Sequence, residues 1–422
     1  YWDYFQQNRY QFYDRTKTDP STSSGSVDFR TWDLETLFAE ISSYYEASLE
    51  NSNILQTTTT EAFEPILTTY EGSNTVRPTL YDFLAHNALS FYTNNENSIT
   101  KPTYAFEVND PKFLGDLQEF QRLKLTSKDS TSLELKALQL YQNLLKFHSD
   151  TKNEIPLASV DVKRLGFVYY HSNDPQKDAI HLQTLKNSKA KVKAPYAKAI
   201  YEYNIAYHTD NLSHGYLQGE KDINRWAKKE ALEICEQLIK DFPDTHIGSQ
   251  AEKLKQSITE PSLQLQLESY LPIAQDSRIL VTYKNVKNVQ LSVYKISAKE
   301  SEALQKIYDK QKKRDFISAL KLEKQWTQQL KDEGDYRNHS TEILLPGFPQ
   351  GRYLIMATPG NSDNKRLFEH TDLQFTNLAV VKTQDENDTY YQIVNRNNGQ
   401  PISSAQCVVK DGQKRYGKNF IS

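Results

Sequence analysis

The hydrophobic positions of the chain follow two different periods, and one gives way to the other near Pro261. Before this residue, apolar side chains recur every three or four positions, as on the buried face of an α-helix. After it, apolar and polar residues alternate in stretches such as LQLQLES and NVQLSVYKI, as in half-buried β-strands. The pattern therefore predicts a multidomain chain, with an α-helical domain over residues 1–260 and β-sheet domains after it.

The first part of the chain predicts amphipathic helices joined by short turns. Asp33 or Thr31 can cap the first long helix, and Asp244 or Thr245 can cap the last one. In PYAKAIYEYNIAYH and the segments that follow, small alanines alternate with aromatic residues, a pattern typical of tetratricopeptide-like helical hairpins. We therefore expect an α-solenoid. Its predicted buried positions include Leu34, Leu37, Phe38, Ile41, Leu80, Phe83, Leu84, Ala88, Phe91, Leu138, Tyr141, Leu145, His148, Ala197, Ile200, Tyr201, Ile205 and His208.

An aromatic-rich stretch, YWDYFQQNRYQFYDRT, opens the chain. Rings at this density need a surface to pack on, and the simplest surface is the rest of the same chain. We expect an aromatic amino-terminal arm, which could also dock another protein. The following segment, Ser21–Ser26, is expected to be a flexible loop because it contains only Ser, Thr and Gly.

The second part of the chain predicts antiparallel β-sandwiches, because short strands follow one another without long crossovers. A first sandwich is expected over residues 261–376, and its segment 298–332 has a helical pattern that indicates an insertion between two strands. Residues 377–422 predict the start of a second, incomplete sandwich. Because an open half-sandwich would expose strand edges and an apolar face, we expect the natural polypeptide to continue.

Composition restricts the classes of function. The chain has 422 residues, which is too many for one hydrophobic core, and 37% of them are hydrophobic. Its formal net charge is −3 with acidic and basic residues well mixed, so no overall field would hold nucleic acid. No apolar run approaches the roughly 20 residues that span a bilayer. A signal peptide or lipid anchor would lie upstream of Tyr1.

Residues with catalytic potential do not form a recognisable motif. Cys235 and Cys407 lie far apart in segments of different type, so they indicate neither a disulfide framework nor a zinc site. The nine histidines show no His-Glu-x-x-His spacing, and neither a Gly-x-Ser-x-Gly elbow nor a phosphate-binding glycine loop is present. We therefore expect no catalytic residue, no cofactor and no metal site in this chain, and no enzymatic activity.

Four histidines and one acidic segment have structural interpretations that compete with metal binding. His171 and His181 flank one helix with two aspartates close by, an arrangement that chance explains more simply than a metal site. His86 and His148 lie at or beside apolar stripes, so hydrogen-bonded core positions are the default interpretation. The acidic segment DENDTY, residues 385–390, lacks the register and the turn glycine of a calcium loop.

Two surface features remain as candidate sites. The short segment KDSTS contains Ser130 in a pattern that bacterial envelope O-glycosylation systems accept, and its polar setting would allow access. The run KNSKAKVKAPYAK is the strongest local charge cluster, and it could meet an anionic partner or be a solvated loop between helices. Its basic residues are Lys186, Lys189, Lys191 and Lys193.

The order of these parts resembles the amino-terminal region of the large bacterial alpha-2-macroglobulin-like proteins. The segments that carry the resemblance are RPTLYDFLAHNALSFY, the tetratricopeptide-like end DFPDTHIGSQAEKLKQSI, the pair TYKNV and LSVYKI, and NGQPISSAQCVV. The resemblance covers nearly the whole chain. It implies that the sandwiches are macroglobulin or immunoglobulin-like domains of a much longer envelope protein, which is periplasmic or associated with the outer membrane.

The resemblance also implies a function. Members of the family that trap proteases are cut in a bait segment and capture the attacking protease with a thioester formed in a Cys-x-Glu-Gln motif. Cys235-Glu236-Gln237 lacks the spacer residue, so a buried structural thiol is expected instead. The resemblance thus predicts the scaffold of a protease inhibitor whose partner is a protease. The alternative is a non-enzymatic assembly protein that binds an outer-membrane or envelope partner through its helical solenoid.

Overall fold

The structure is a computed structural model that describes residues 1–13, 28–68, 72–94, 104–216, 223–360, 366–384 and 389–405, and the backbone of 409–411 and 414–416. It divides into two compact units, the helical unit Tyr1–Ser257 and the sheet unit Ile258–Ser422. The predicted order of helices followed by sheets is therefore confirmed. Three features predicted from the sequence lie outside the described residues, namely the loop Ser21–Ser26, Cys407 and the acidic residues 385–388.

The helical unit contains long helices that are preceded and separated by short ones. Asp33 caps the first long helix, where its carboxylate accepts a hydrogen bond of 2.7 Å from the backbone N–H of Thr36. At the start of the last helix, the Thr245 hydroxyl accepts from the backbone N–H of Gly248 at 3.2 Å. The helices are α1 Trp2–Asn8, α2 Tyr10–Tyr13, α3 Leu34–Ser48, α4 Ser52–Thr57, α5 Ser73–Val76, α6 Leu80–Tyr92, α7 Leu117–Arg122, α8 Leu133–Asp150, α9 Glu154–His171, α10 Lys177–Lys191, α11 Pro195–Leu212, α12 Ala227–Asp241 and α13 His246–Thr259, with 3₁₀ turns at Phe29–Thr31, Thr60–Ile66, Pro111–Leu114 and Ser213–Gly215.

Consecutive long helices pack on one another, with contacts between α8 and α9, α10 and α11, and α11 and α12. The aromatic arm packs on this unit, because Phe5 and Phe12 are fully buried and Trp2 contacts the ring edges of Phe38 and Phe91. This confirms the prediction that the described arm, residues 1–13, packs on its own chain. The finer prediction of a solenoid stays a prediction.

The buried face of α6 differs from the predicted stripe. The predicted positions Leu80, Phe83 and Leu84 are only half-buried. The face that enters the core is rotated along the helix and carries two ionisable side chains, since it consists of Tyr81, Asp82, Ala85, His86, Ala88, Leu89, Phe91 and Tyr92. The rotation places the Asp82 carboxylate against His148 of α8, at 2.7 Å. The buried face of α6 therefore includes the hydrogen bond between Asp82 and His148, which the spacing of apolar residues did not predict.

The described sheet unit contains two large sheets and two short hairpins. A three-stranded sheet has the order β1-β3-β6, and a five-stranded sheet has the order β2-β8-β7-β4-β5. One hydrophobic cluster draws its side chains from both, including Ile279 of β3, Ile343 of β6 and Ile355 of β7. The strands are β1 Ser262–Gln266, β2 Tyr270–Leu271, β3 Ser277–Lys284, β4 Asn288–Lys295, β5 Lys321–Gln329, β6 His339–Leu345, β7 Gly351–Pro359, β8 Glu369–Phe375, β9 Leu378–Gln384, β10 Thr389–Asn395, β11 Val409–Asp411 and β12 Lys414–Tyr416.

Two details of the predicted sheet domain are wrong. The segment 298–332 is helical only in α14 Ala298–Gln305 and α15 Lys310–Ser318, and its last part is strand β5, paired antiparallel with β4. The five-stranded sheet is also not purely antiparallel, because β2 pairs with β8 in the parallel sense. The polar composition of β5 hid the strand, since nearly all its side chains are exposed and no apolar alternation remains to be read.

Gly166, in the middle of α9, provides a test of the helical unit. A Cβ atom added at this position would meet no heavy atom within 4 Å. Replacing Gly166 by Ala is therefore expected to raise the free energy of unfolding by about 0.5–1 kcal/mol, because glycine loses more backbone entropy in a helix. Urea unfolding followed by circular dichroism measures the change. In contrast, Gly334 has φ +68°, and Gly334→Ala is expected to destabilise the protein; a gain there would contradict the turn geometry.

Candidate functional site

An open groove lies in the helical unit beside the aromatic arm. It has a volume of about 570 Å³. We call it the aromatic groove, and its walls come from α1, α3 and α6. The lining residues that matter for binding are Tyr1, Trp2, Asp3, Tyr44, Tyr45 and Asn87.

The local sequence explains why rings line this groove. On α3, Ile41 faces the core while Tyr44 and Tyr45 follow at the edge of the apolar stripe, so their rings reach the rim. Trp2 is held in place by stacking on Phe5, with ring centroids 5.5 Å apart. Tyr1 and Tyr44 approach each other at 5.8 Å and remain 44% and 57% exposed. The groove thus combines fixed and solvent-accessible aromatic rings, the residue types that dominate protein interfaces.

The groove is acidic as well as aromatic. The pKa of Tyr45 is raised by burial and then by the nearby Asp3 carboxylate, and the pKa of Tyr44 is raised by Tyr1 and then by Glu40. Asp3 itself lines the groove, and Glu40 lies one helical turn before Tyr44 on α3. From Thr31 to Val76 the sequence contains eight acidic residues and no lysine, arginine or histidine. Sequence reasoning missed this run because the charges of the whole chain balance.

A buried pair of histidines connects α10 and α11. The Nδ1 atoms of His181 and His208 lie 3.1 Å apart, and His208 Nε2 lies 3.1 Å from the backbone oxygen of Asp178. A carbonyl only accepts, so Nε2 of His208 carries the proton and His181 Nδ1–H donates to His208 Nδ1. The Tyr169 ring stacks on His181, with its hydroxyl 2.8 Å from the Asp178 carboxylate. The His181 ring is thus held between α9, α10 and α11.

Burial keeps both of these histidines neutral. Burial, followed by repulsion from His208 and Arg164, lowers the pKa of His181 to about 3. Burial also lowers the pKa of His208, against the attraction of Asp178. His171, at the end of α9, and His181, within α10, do not contact each other, because His181 contacts His208 and His171 Nδ1 donates to the Phe167 carbonyl oxygen at 2.8 Å. Among the described residues, no cluster of His, Cys, Asp and Glu could hold a metal ion.

Two further buried networks join distant parts of the helical unit. Asp82 accepts from His148 Nε2 at 2.7 Å and from the Thr79 hydroxyl at 2.7 Å. His86 Nδ1 donates to the Asp82 backbone carbonyl at 2.8 Å, which confirms that His86 and His148 are hydrogen-bonded core residues. In the second network, the Arg164 guanidinium, fully buried, donates to Asp161 and to the backbone of the Pro111–Leu114 turn and Gly115. These contacts bind distant elements of the helical unit together, although His86 Nε2 and His148 Nδ1 are buried without a hydrogen-bond partner in the described part of the chain.

The predicted basic patch is partly neutralised by its neighbours. Lys189 forms an ion pair with Glu202, and Lys191 forms one with Asp116. The side chains of Lys186 and Lys193 are exposed, and the backbone N–H of Lys193 donates to Glu154 at 2.8 Å. The patch lies at the end of α10 and in the turn before α11. Two of the four lysines therefore already form ion pairs with carboxylates of the same chain.

Ser130 is exposed in the turn before α8. The neighbouring Asp129 is buried, and its carboxylate accepts hydrogen bonds from the backbone N–H of Phe106 at 3.2 Å and from the Thr131 hydroxyl at 3.0 Å. The turn is thus held from both sides while the Ser130 side chain points away from the core. Its modification remains a prediction.

Cys235 lies on the buried face of α12. Burial, followed by the charges of Asp210, Glu236 and Glu252, raises the pKa of its thiol to about 12. Glu236 and Gln237 point to solvent, away from the sulfur. A structural thiol fits this environment, and a thioester does not.

The environment of Cys235 predicts its reactivity. In a Cys407→Ser variant, Cys235 is expected to react with iodoacetamide at least about tenfold more slowly in the folded protein than in urea, because only the thiolate is nucleophilic and it is disfavoured by burial. Mass spectrometry after timed quenching measures the rate. Equal rates in both conditions would contradict a buried thiol, and free glutathione in the same tube controls for the effect of urea on the reagent.

A smaller cavity of about 160 Å³ lies in the sheet unit, near β7 and β8. Its Ser301 hydroxyl donates to the Asp372 carboxylate at 2.7 Å, a contact that joins α14 to β8. No helix within the described ranges is both long and apolar enough to cross a bilayer.

Comparisons with known proteins give distant similarities in fold. No protein-family model matches the chain, and no curated protein is similar to it at the level that the comparison required. A solved structure of native alpha-2-macroglobulin from Escherichia coli, spanning domains MG0-NIE-MG1, is 17% identical with a TM-score of 0.27, and the match covers 34% of this chain and 48% of that one. The chain thus spans about half the length of that structure.

Two other structures illustrate how distant these similarities are. A second structure of the same Escherichia coli protein, spanning NIE-MG1, is 17% identical with a TM-score of 0.25, over 36% of this chain and 75% of that one. An alkylpurine DNA glycosylase from Pseudomonas fluorescens matches 64% of this chain and 99% of its own at 7% identity and a TM-score of 0.16. These values assign no function. What they do give is a weak similarity in fold, over about a third of this chain, to fragments of a bacterial alpha-2-macroglobulin.

Proposed function

We propose that this chain is a non-enzymatic scaffold that binds other proteins, in a bacterial envelope protein of the alpha-2-macroglobulin-like kind. The observation that carries the scaffold role is the aromatic groove. Its exposed Tyr1 and Tyr44 rings lie beside the fixed ring of Trp2, which is the composition of an interface centre. The buried histidine and arginine networks, in contrast, connect helices of the same chain to one another.

The placement in an alpha-2-macroglobulin-like protein is supported by the resemblance of RPTLYDFLAHNALSFY and the TYKNV and LSVYKI pair. On this proposal the sheet unit begins with a macroglobulin-like sandwich, supported by the hydrophobic cluster that its two large sheets share. A second sandwich would start at β9 and β10. The exposed apolar side chains of that hairpin, including Leu378, Val380 and Val381, are positions that further strands would cover.

Protease trapping by the longer polypeptide is the first form of this function. To test it, the polypeptide that contains this chain is incubated with trypsin, chymotrypsin or elastase, and the mixture is examined by native electrophoresis and size-exclusion chromatography. We expect cleavage to be followed by compaction and by retention of the protease. The same proteases blocked at their active site serve as the control. Neither compaction nor retention with any active protease would overturn the trapping role.

Envelope assembly is the second form, and the open groove in the helical unit favours it. In this case the chain binds one outer-membrane or envelope protein in a fixed ratio. Cross-linking in cells followed by purification is expected to give one stoichiometric partner with the natural chain and clearly less of it with Tyr44→Ala. Tyr308→Ala is the matched control, because Tyr308 is 92% exposed and lies in the sheet unit. A partner retained equally by Tyr44→Ala would exclude the groove as its binding site.

A further inference from the structure

We propose that the aromatic groove binds a lysine or arginine side chain carried by an extended segment of a partner protein. This inference rests on the proposed scaffold function and adds the chemistry of the partner. The groove volume of about 570 Å³ lies within the range of roughly 300–1,000 Å³ that is typical of ligand pockets. It is therefore large enough for a side chain and the backbone next to it.

The lining favours a cation over an apolar or an anionic group. Aromatic faces attract ammonium and guanidinium groups through the negative charge of their π-systems, and Tyr1, Trp2 and Tyr44 present such rings. Asp3 lines the groove, and Glu40 lies four residues before Tyr44 on the same helix. An apolar partner would strip water from these carboxylates without replacing its hydrogen bonds, and an anionic partner would be repelled.

The acidic segment that contributes to the groove favours a peptide with several positive charges over one with a single lysine or arginine. The segment from Thr31 to Val76, which includes α3, contains eight acidic residues and no basic one. Within this segment, Glu46 is paired with Lys136 at 2.7 Å, and the carboxylate of Asp33 caps α3. Glu35 and Glu50 are exposed on the surface of the same segment. The segment that carries Tyr44 and Tyr45 is thus anionic, which would attract a basic peptide.

The other charged surface of the helical unit is a weaker candidate. In the basic patch of Lys186, Lys189, Lys191 and Lys193, two of the lysines already have carboxylate partners within the chain. The aromatic groove is the place where rings, carboxylates and open volume coincide.

The binding test uses a short fluorescent peptide of alternating lysine and alanine, and a matched peptide with glutamine in place of lysine. The chain is expressed behind a Gly-Ser leader, so that no terminal ammonium group competes in the groove. Fluorescence anisotropy at low ionic strength measures the dissociation constants. The lysine peptide is expected to bind, the glutamine peptide to bind at least about fivefold more weakly, and added salt to weaken the lysine complex.

Variants locate the binding and have matched controls. Tyr44→Ala and Asp3→Asn are each expected to weaken the lysine complex about two- to fivefold. Tyr308→Ala controls for the loss of an exposed ring, and Glu302→Gln controls for the loss of an exposed carboxylate in the sheet unit. Both controls should stay within about twofold of the natural chain, since a single distant surface charge contributes little. Circular dichroism verifies that each variant is folded.

The outcomes separate this inference from the scaffold function. If lysine and glutamine peptides bind equally and Tyr44→Ala weakens both, the groove binds proteins but the preference for a cation is wrong. If the lysine peptide binds and neither Tyr44→Ala nor Asp3→Asn changes its affinity, the binding is a general charge effect and the inference is overturned. Failure of both peptides to bind also overturns it, while the cross-linked partner continues to test the scaffold function by itself.

Discussion

Replacing Arg164 by methionine is expected to lower the free energy of unfolding by about 3–5 kcal/mol, because the change leaves a buried carboxylate without its counter-charge. Arg164 and Asp161 are both fully buried, and Arg164 Nη2 lies 2.7 Å from the Asp161 carboxylate. The guanidinium also donates to the Gly115 carbonyl at 3.1 Å and lies 4.5 Å over the Phe120 ring. The same residue thus fixes α9 to the loop that precedes α7.

The experiment distinguishes the destabilisation caused by an unpaired buried charge from the destabilisation caused by lost packing. Urea unfolding is followed by circular dichroism, which reports mainly on the helical unit. Arg30→Met is the matched control, because Arg30 pairs with Asp28 on the surface of the helical unit, where the loss of an exposed ion pair should leave stability almost unchanged. Adding Asp161→Asn to Arg164→Met is expected to recover part of the loss, since the uncompensated charge is removed and Tyr201 can still donate to the side chain. A loss below about 1 kcal/mol for Arg164→Met would show that water reaches this network.

The helical unit is expected to lose stability as the pH falls from 7 to 5, because it contains buried neutral histidines. The pKa of His181 is about 3 in the folded protein and about 6.5 in an unfolded chain. A histidine with a depressed folded pKa contributes stability that is complete above the unfolded value, and that is lost as the pH falls toward the folded value. For His181 alone this loss is about 2 kcal/mol between pH 7 and 5. The lowered pKa values of His86 and His208 act in the same direction.

The variant His181→Gln tests this origin of the pH dependence. A glutamine does not titrate, and its amide group can still donate to Nδ1 of His208 in place of His181. The stability lost between pH 7 and 5 should therefore shrink by about 2 kcal/mol, whatever the absolute stability of the variant. His214→Gln is the control, because His214 is exposed. An unchanged pH dependence in His181→Gln would mean that His181 is already protonated, or solvated, in the folded protein.

Two components of the aromatic groove can be recognised in the sequence, but their meeting in one groove cannot. The aromatic density of residues 1–13 is plain in the sequence, and it predicted packing of the arm on its own chain correctly. The acidic run from Thr31 to Val76 is also visible, but only when charge is counted locally. That the two meet at one groove is not visible, because α1, α3 and α6 are separated by many residues and only their packing brings Trp2, Tyr44 and Asn87 together.

The same distinction explains the errors in the sheet unit. Strand β4 was predictable because its first side chains alternate between half-buried and buried positions, and the next ones are buried. Strand β5 was not, since eight of its nine side chains are exposed and its lysines and glutamines also suit a helix. Its conformation is decided by the backbone hydrogen bonds of its pairing with β4, where Leu291 lies opposite Trp326. At the edge of the sheet, its charged side chains also protect the strand from pairing with other chains.

The sequence by itself determined where the period changes and which of the long segments before Pro261 are helical, and it limited the cap of α3 to Asp33 or Thr31. These properties depend on local backbone preferences and on spacing along the chain, so they can be read without coordinates. Only the tertiary structure decided that α6 turns Asp82 toward His148, that Arg164 closes a buried network and that β2 pairs in parallel with β8. Each of these requires residues far apart in sequence to meet, and the free energy of such a contact depends on burial and geometry that no local pattern contains.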